Sequence, residues 1–311
     1  MLSLSKLVTF SLLSHEIQGA QLLEIKDPIT EVSDAVSSEI SKKDLAELLL
    51  ELPVGSSSPY QESRVGADPD MYRSFDEIVT ENGYTSEHHP VVTKDGYQLN
   101  LYRIKSKNFK PGSKVIFLQH GITDSADGWI MNYPNKSVAF RLVEAGYDVW
   151  LGNQRGTKYS IGHQFLDTKS KEYWSFSWSE MGDYDAVAQV DYALKHADQK
   201  KMVWIGHSQG TTQMFHALSS NQQYWDDRME LFIGIAPVTA LKHCSAGLFK
   251  KLSWSIPIVE EAANILGIYE ILGPLASDAT VAFCSYIPWF CKEFEGFVIT
   301  HDPEYDNSDR F

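Results

Sequence analysis

One serine lies in a sequence context that could make it a nucleophile. Ser208 is the centre of Gly206-His207-Ser208-Gln209-Gly210, between an apolar run and a helical pattern. In a strand–turn–helix context only very small flanking residues fit, and the turn raises the serine hydroxyl above the sheet edge. The N–H of Gln209 would lie at the helix N-terminus, where it can stabilise an oxyanion. The alternative is a glycine-flanked turn without chemistry.

A second oxyanion donor is predicted at the end of an earlier strand. Leu118-Gln119-His120-Gly121-Ile122 follows an apolar run, and Gly121 allows a tight turn there. Folds with a strand–serine–helix turn place their other donor at this point, so we expect it to be the N–H of Ile122. We expect His120 to pack or hydrogen-bond within this loop rather than to act as a base. The alternative is an ordinary glycine turn after a strand.

The elements that must position these residues alternate between strand and helix from Asp68 to Pro237. Asp95-Gly96 marks a hairpin between the first two strand-like runs. Continuous apolar runs then alternate with helical patterns, which predicts an α/β fold with a parallel central sheet covered on both faces. The predicted strands are His88–Thr93, Tyr97–Ile104, Lys114–Leu118, Asp148–Leu151, Met202–Ile205 and Leu231–Ala236, and the predicted helices are Phe75–Thr80, Ser137–Glu144, Ser177–His196 and Gln209–Leu218.

The chain divides into four predicted regions. Residues 1–20 resemble a signal peptide, and residues 21–67 form an acidic pro-segment or linker with one helix. Residues 68–237 form the α/β core, and residues 238–311, where the alternation stops, form an incomplete helical cap or lid. The sequon at Asn135 is a glycosylation candidate if the chain is secreted.

Composition excludes several classes of protein. A net charge of −14 disfavours binding to nucleic acid. No run of residues is long and apolar enough to predict a transmembrane segment. The three cysteines are too few for a disulfide framework, and their spacing fits no zinc site. The redox state of Cys284 and Cys291 stays open.

Several motifs together resemble one family, the acid lipases, which comprise gastric and lysosomal lipases and sterol esterases. The resemblance covers residues 68–240, and the run Trp150-Leu151-Gly152-Asn153 with Arg155-Gly156 is its most distinctive part. The other matching pieces are Gly83-Tyr84, Thr93-Lys94-Asp95-Gly96-Tyr97, Leu118-Gln119-His120-Gly121, Asn135-Lys136-Ser137-Val138-Ala139-Phe140, Ala145-Gly146-Tyr147-Asp148-Val149, Glu180-Met181 with Tyr184-Asp185, Gly206-His207-Ser208-Gln209-Gly210-Thr211-Thr212 and Ala236-Pro237-Val238.

The resemblance implies an α/β-hydrolase fold and hydrolysis of long-chain acyl esters, such as triacylglycerols or sterol esters. Ser208 would be the nucleophile, and Ile122 and Gln209 would donate the oxyanion hydrogen bonds. The cap would be a lid that meets the lipid–water interface. The resemblance further implies a secreted or lysosomal/endosomal protein that needs no metal or organic cofactor.

The sequence departs from the family pattern at the triad acid and histidine, which the family places beyond its cap. Only His216, His243 and His301 follow Ser208. We expect the triad Asp and His, with the last core strands, to be missing from this chain, so that residues 1–311 alone are inactive. Four alternatives stay open: a genuine loss of the C-terminal part, His301 with Asp302 as a relocated base, a catalytically dead lipid-binding protein, and an acyltransferase on the same fold.

Overall fold

The structure, a computed structural model, describes residues 7–10 and 73–240. The predicted linker at 21–67, nearly all of the predicted cap and the three cysteines lie outside the described residues. Of the predicted signal peptide, only Leu7–Phe10 is described. The domain boundaries at the two ends of the chain therefore stay predictions.

A mostly parallel sheet of seven strands forms the centre of the described region. Its spatial order is β1-β7-β6-β4-β5-β3-β2. The strands are β1 Leu7–Phe10, β2 Thr85–Val92, β3 Gln98–Lys105, β4 Val115–Gln119, β5 Asp148–Gly152, β6 Met202–His207 and β7 Met229–Ile235.

The directions of the strands agree with the sequence prediction. Strands β5, β4, β6 and β7 run parallel, and β1 pairs parallel with the outer edge of β7. The hairpin predicted at Asp95-Gly96 joins β2 to β3, which pair antiparallel, and β3 also pairs antiparallel with β5. The carboxyl ends of β4 and β6 are neighbours, so the Ile122 loop and the Ser208 turn emerge side by side.

Helices cover both faces of the sheet, as predicted. They are α1 Phe75–Glu81, α2 Val138–Glu144, α3 Ala186–Ala197, α4 Gln209–Ser220 and α5 Gln222–Arg228. Helices α1 and α2 pack on one face, where β4 contributes Ile116 and Leu118. Helices α3, α4 and α5 pack on the other, where β4 contributes Val115 and Phe117. This alternation explains why the strand is apolar from Val115 to Leu118. None of the described helices is long and apolar enough to cross a membrane.

The prediction of a single continuous helix over Ser177–His196 is wrong in detail. The chain forms a short helical turn at Trp178–Glu180, a π-helix at Met181–Asp185 and only then α3. The wide turn brings Gly182 so close to α4 that a Cβ there would lie 2.7 Å from the carbonyl oxygen of Gln213. Because apolar spacing is compatible with both helix types, the sequence pattern does not reveal this turn.

Candidate active site

Ser208 adopts the strained backbone expected of a nucleophile on a sharp turn. It lies between the end of β6 and the first residue of α4, with φ 49° and ψ −116°. A non-glycine residue with positive φ is held there only by its surroundings. Its N–H donates to the carbonyl oxygen of Ile235 at 3.0 Å, and its own carbonyl oxygen accepts from the N–H of Thr211 at 2.9 Å. The backbone on both sides of Ser208 is therefore fixed.

The glycines that flank Ser208 are required by close backbone contacts. A Cβ at Gly206 would lie 2.6 Å from the carbonyl oxygen of Gly210. A Cβ at Gly210 would lie 2.5 Å from the carbonyl oxygen of Gln119. Both distances are well below those of real carbon–oxygen contacts. The geometry supports the expectation that only very small residues fit at these two positions.

The loop after β4 lies against the Ser208 turn. A Cβ at Gly121 would lie only 3.1 Å from Cβ of Ser208. The next residue, Ile122, has an exposed side chain, with 63% of its surface accessible. Among the residues the structure describes, the N–H groups of Ile122 and Gln209 have no hydrogen-bond acceptor. Two backbone donors without an acceptor among the described residues therefore lie next to Ser208: Gln209 follows it in the chain, and Ile122 follows Gly121, which packs against it.

His120 is engaged within the loop, as the sequence suggested. Its ring is fully buried, with Nδ1 2.8 Å from the carbonyl oxygen of Gly121 and Nε2 3.2 Å from the backbone nitrogen of Gln154. The Gln154 N–H can only donate, so Nε2 accepts and Nδ1–H donates to Gly121. Burial lowers the pKa of His120 to about 4, which keeps the ring neutral.

Gln154 completes this arrangement and was not singled out from the sequence. Its side-chain amide donates to the carbonyl oxygen of His120 at 2.9 Å. The two residues therefore bind each other reciprocally and fix the loop that holds Ile122. The available signal was position, since Gln154 follows β5 at the same carboxyl edge of the sheet.

A partly buried carboxyl group, that of Asp124, lies two residues beyond Ile122. Oδ1 of Asp124 accepts from the N–H of Ser125 at 2.7 Å, and Gly128 packs tightly against the carboxyl. Burial raises the pKa of Asp124 to about 6, and the nearby charge of Asp127 acts in the same direction. The Asp124 carboxyl therefore titrates on the acid side of neutrality.

His216 does not form a catalytic relay with the groups around it. Its Nε2 lies 3.1 Å from Oδ2 of Asp183 and 3.2 Å from Oγ of Ser220. A relay needs the acid and the serine on opposite ring nitrogens, whereas both contacts here involve the same one. Within residues 73–240 the hydroxyl of Ser208 has no hydrogen-bond partner. His243 and His301 lie outside the described residues.

Asn135 lies in an accessible position. It is exposed in the turn before α2, while the hydroxyl of Ser137 donates to the carbonyl oxygen of Asn132 at 2.6 Å. Accessibility is compatible with glycosylation, which stays a prediction.

Sequence comparisons identify the family. Residues 75–133 match the partial alpha/beta-hydrolase lipase region, and residues 114–257 match the alpha/beta hydrolase fold family. Human lipase member K is 39% identical over 213 residues, which are 67% of this chain and 53% of that protein. The chain belongs to the acid lipase family. Human gastric triacylglycerol lipase is 42% identical over 188 residues, which are 59% of this chain and 47% of that protein.

The chain spans about half the length of the curated relatives it matches. Among solved structures, epoxide hydrolase A from Mycobacterium thermoresistibile aligns with a TM-score of 0.35 and 23% identity. That alignment covers 54% of this chain and 45% of the epoxide hydrolase.

A buried ion network lies next to the segment that contains Gln154. Nε of Arg155 donates to Asp185 at 2.8 Å, and Nη1 and Nη2 donate to Asp95 at 2.7 and 3.0 Å. The guanidinium also lies 3.8 Å from the ring centroid of Tyr97. Arg155 thereby joins the β2–β3 hairpin and the π-helix to the segment that contains Gln154.

Proposed function

We propose that this protein is a serine ester hydrolase of lipid breakdown, with Ser208 as its nucleophile. The observation that supports this best is the strained turn at Ser208 with the Gly121 loop packed against it. The family membership supports the ester class, since the relatives include a gastric triacylglycerol lipase. Acylglycerols or sterol esters are the proposed substrates, and a secreted or lysosomal/endosomal location is proposed with them.

The proposed mechanism uses the Ser208 hydroxyl and the backbone N–H groups of Gln209 and Ile122. A histidine base takes the proton of Ser208 Oγ as the oxygen attacks the ester carbonyl carbon. The carbonyl oxygen becomes an oxyanion that accepts from the N–H groups of Gln209 and Ile122. Collapse expels the alcohol, which receives the proton from the histidine. Water then attacks the acyl-enzyme by the same route and releases the acid and free Ser208.

The base and its carboxylate partner are proposed to lie outside the described residues. His120 has both ring nitrogens occupied, and His216 contacts Asp183 instead of Ser208. Without a base, a serine hydroxyl is a poor nucleophile.

A fluorophosphonate probe on the full-length protein tests the assignment. We expect covalent labelling of wild type, no labelling of Ser208→Ala, and unchanged labelling of Ser219→Ala. Ser219 is a matched control because it is an exposed serine on the same helix, with its hydroxyl donating to the carbonyl oxygen of His216. Labelling that survives in Ser208→Ala would disprove the nucleophile.

A panel of esters with and without an alcohol acceptor tests the substrate class. We expect release of free fatty acid from triacylglycerol or sterol ester emulsions, dependent on Ser208. Transfer of the acyl group to the alcohol in preference to water would identify an acyltransferase. Lipid binding without turnover would identify a catalytically dead binding protein.

A further inference from the structure

The first turn of α4 contains a hydroxyl with two structural partners near the nucleophile. Oγ1 of Thr211 lies 2.6 Å from the carbonyl oxygen of Ser208 and 3.0 Å from the backbone nitrogen of Val238. The Val238 N–H can only donate, so the Thr211 hydroxyl accepts from it and donates its own proton to Ser208. The Thr211 side chain is fully buried, so water does not compete for these hydrogen bonds.

The Ser208 carbonyl and the Gln209 N–H belong to the same peptide group. That group is planar, and its C=O and N–H point in opposite directions. Whatever holds the carbonyl oxygen of Ser208 therefore also sets the direction of the Gln209 N–H. The carbonyl oxygen accepts two hydrogen bonds from Thr211, one from its N–H at 2.9 Å and one from its hydroxyl.

We propose that Thr211 is a positioning residue whose hydroxyl aims the Gln209 N–H at the oxyanion. The backbone N–H of Thr211 is part of the turn and would be present with any residue at this position. The hydroxyl is the part that depends on the side chain. The inference rests on the proposed function, because it gives Thr211 a role in the same oxyanion-stabilising step.

The hydrogen bond from the Val238 N–H to the Thr211 hydroxyl links the orientation of the Ser208–Gln209 peptide group to the chain that follows β7. The segment after β7 turns at Ala236, which has φ 46°. Val238 is then held at both of its polar backbone atoms, since its carbonyl oxygen accepts from Oγ1 of Thr212 at 2.9 Å. We call these contacts of Thr211 and Thr212 with Val238 the Val238 clasp. Among the described residues, the Thr212 hydroxyl is hydrogen-bonded to Val238, whereas the Thr211 hydroxyl is hydrogen-bonded to both Val238 and Ser208.

This difference between the two threonines allows a matched comparison. Thr211→Val removes the hydroxyl at nearly constant shape, and Thr211→Ser keeps it. Thr212→Val removes one hydrogen bond of the Val238 clasp and leaves the Ser208 carbonyl untouched. Thr211→Ala is a second variant, for use if valine at the buried position prevents folding.

The experiment measures ester turnover and the rate of fluorophosphonate labelling in the full-length protein. We expect Thr211→Val and Thr211→Ala to lower kcat and the labelling rate by about 10- to 100-fold with little change in KM, since loss of an oxyanion donor costs about 100- to 1000-fold. Thr211→Ser should recover within about threefold of wild type, and Thr212→Val should stay within about twofold.

A readout independent of activity follows two hydrogen-bonded amides, that of Thr211, which donates to the Ser208 carbonyl oxygen, and that of Val238, which donates to the Thr211 hydroxyl. We expect hydrogen exchange of both amides to accelerate in Thr211→Val and Thr211→Ala and to stay near wild type in Thr211→Ser. Labelling of the Thr211→Val protein at the wild-type rate would overturn the inference. An unlabelled wild-type protein would instead overturn the proposed function, so the two failures are distinguishable.

Discussion

Gly210 lies directly against the backbone of Gln119, so that the Ser208 turn and the loop after β4 meet without any side chain between them. A Cβ at Gly210 would lie 2.5 Å from the carbonyl oxygen of Gln119 and 2.8 Å from that of His120. Neither oxygen can move freely, since both belong to the buried end of β4 and its following residue. The relative position of Ser208 and Ile122 therefore depends on a glycine at 210.

The first prediction is that Gly210→Ala pushes the Ser208 turn away from the loop that contains Ile122. We expect a loss of about 2 kcal/mol or more in stability to unfolding and at least tenfold lower turnover, because overpacking shifts backbone that must stay in place. Urea denaturation and ester turnover measure the two effects.

Gly234→Ala is the matched control for this prediction. A Cβ at Gly234 would meet its nearest atoms, in Pro237 and Thr211, at 3.5 Å, which is ordinary van der Waals contact. We expect this variant to stay within about 1 kcal/mol of wild type and to keep its turnover. Equal effects at Gly210 and Gly234 would contradict the argument from backbone contact.

The second prediction concerns His120. We expect His120→Leu to lower the labelling rate of Ser208 and to cost about 2–3 kcal/mol of stability, because it leaves the Gln154 N–H and the Gly121 carbonyl without partners in a buried site. His216→Leu is the control variant, since His216 lies in the second half of α4 and contacts Asp183. Turnover lost in His216→Leu and kept in His120→Leu would reverse the roles assigned to the two histidines.

The parts of the site that the sequence reveals are those encoded locally. The turn at Ser208 can be predicted because two glycines separate an apolar strand from a helical pattern. The Ile122 loop can be predicted because it follows another apolar strand. The contacts of Gln154 and Thr211 are different, since each bonds to residues more than 25 positions away in the chain. The periodicity of apolar residues does not predict hydrogen bonds between residues so far apart in the chain.

The fold shows the same division between local and distant information. The strands β4, β5 and β6 match their predicted runs to within two residues, because both faces of each are buried. The π-helix at Met181–Asp185 was missed because it is stabilised by contacts with α4 and Arg155. Helix α5 was also missed, since its residues Gln222–Arg228 bury only Trp225 among the core side chains.

The third prediction is that Asp124 makes stability depend on pH. Its pKa is about 6 in the folded protein, above the ordinary value, so the folded state holds the proton more tightly than the unfolded state. This contribution is fully present below pH about 4 and is lost as pH rises through about 6. Asp124→Asn should therefore gain stability relative to wild type at pH 7, on the order of 1 kcal/mol, and show no gain at pH 4.

Thermal melting of both proteins across pH 4 to 7 measures this difference. His120 has the opposite dependence, because its pKa is lowered to about 4 and its neutral state is favoured by folding. Its contribution is present above pH about 6.5 and is lost as pH falls towards 4. Both proteins contain His120, so its contribution cancels when the stability of Asp124→Asn is compared with that of wild type. A stability difference that does not change with pH would show that Asp124 does not titrate in this range.

The last prediction concerns the charge network behind the site. Arg155 and Asp185 are both buried, and Asp95 is the third member of the network. Loss of one member of a buried ion pair leaves an uncompensated charge, which costs about 3–5 kcal/mol. We expect this loss in Arg155→Met, and a large part of it in Arg155→Lys, since a single ammonium cannot match the two carboxylates that the planar guanidinium binds. Urea denaturation measures both.

Lys158→Met supplies the control, because its ion pair with Asp127 is at the surface and the Lys158 side chain is 59% exposed. An exposed pair contributes about 0–1 kcal/mol, so this variant should unfold almost as wild type does. The double variant Arg155→Met with Asp185→Asn should recover part of the loss, since it removes the carboxylate that the single variant leaves unpaired. If Arg155→Met were as stable as Lys158→Met, the network would have no structural role, and the position of the Gln154 segment would have to depend on the sheet alone.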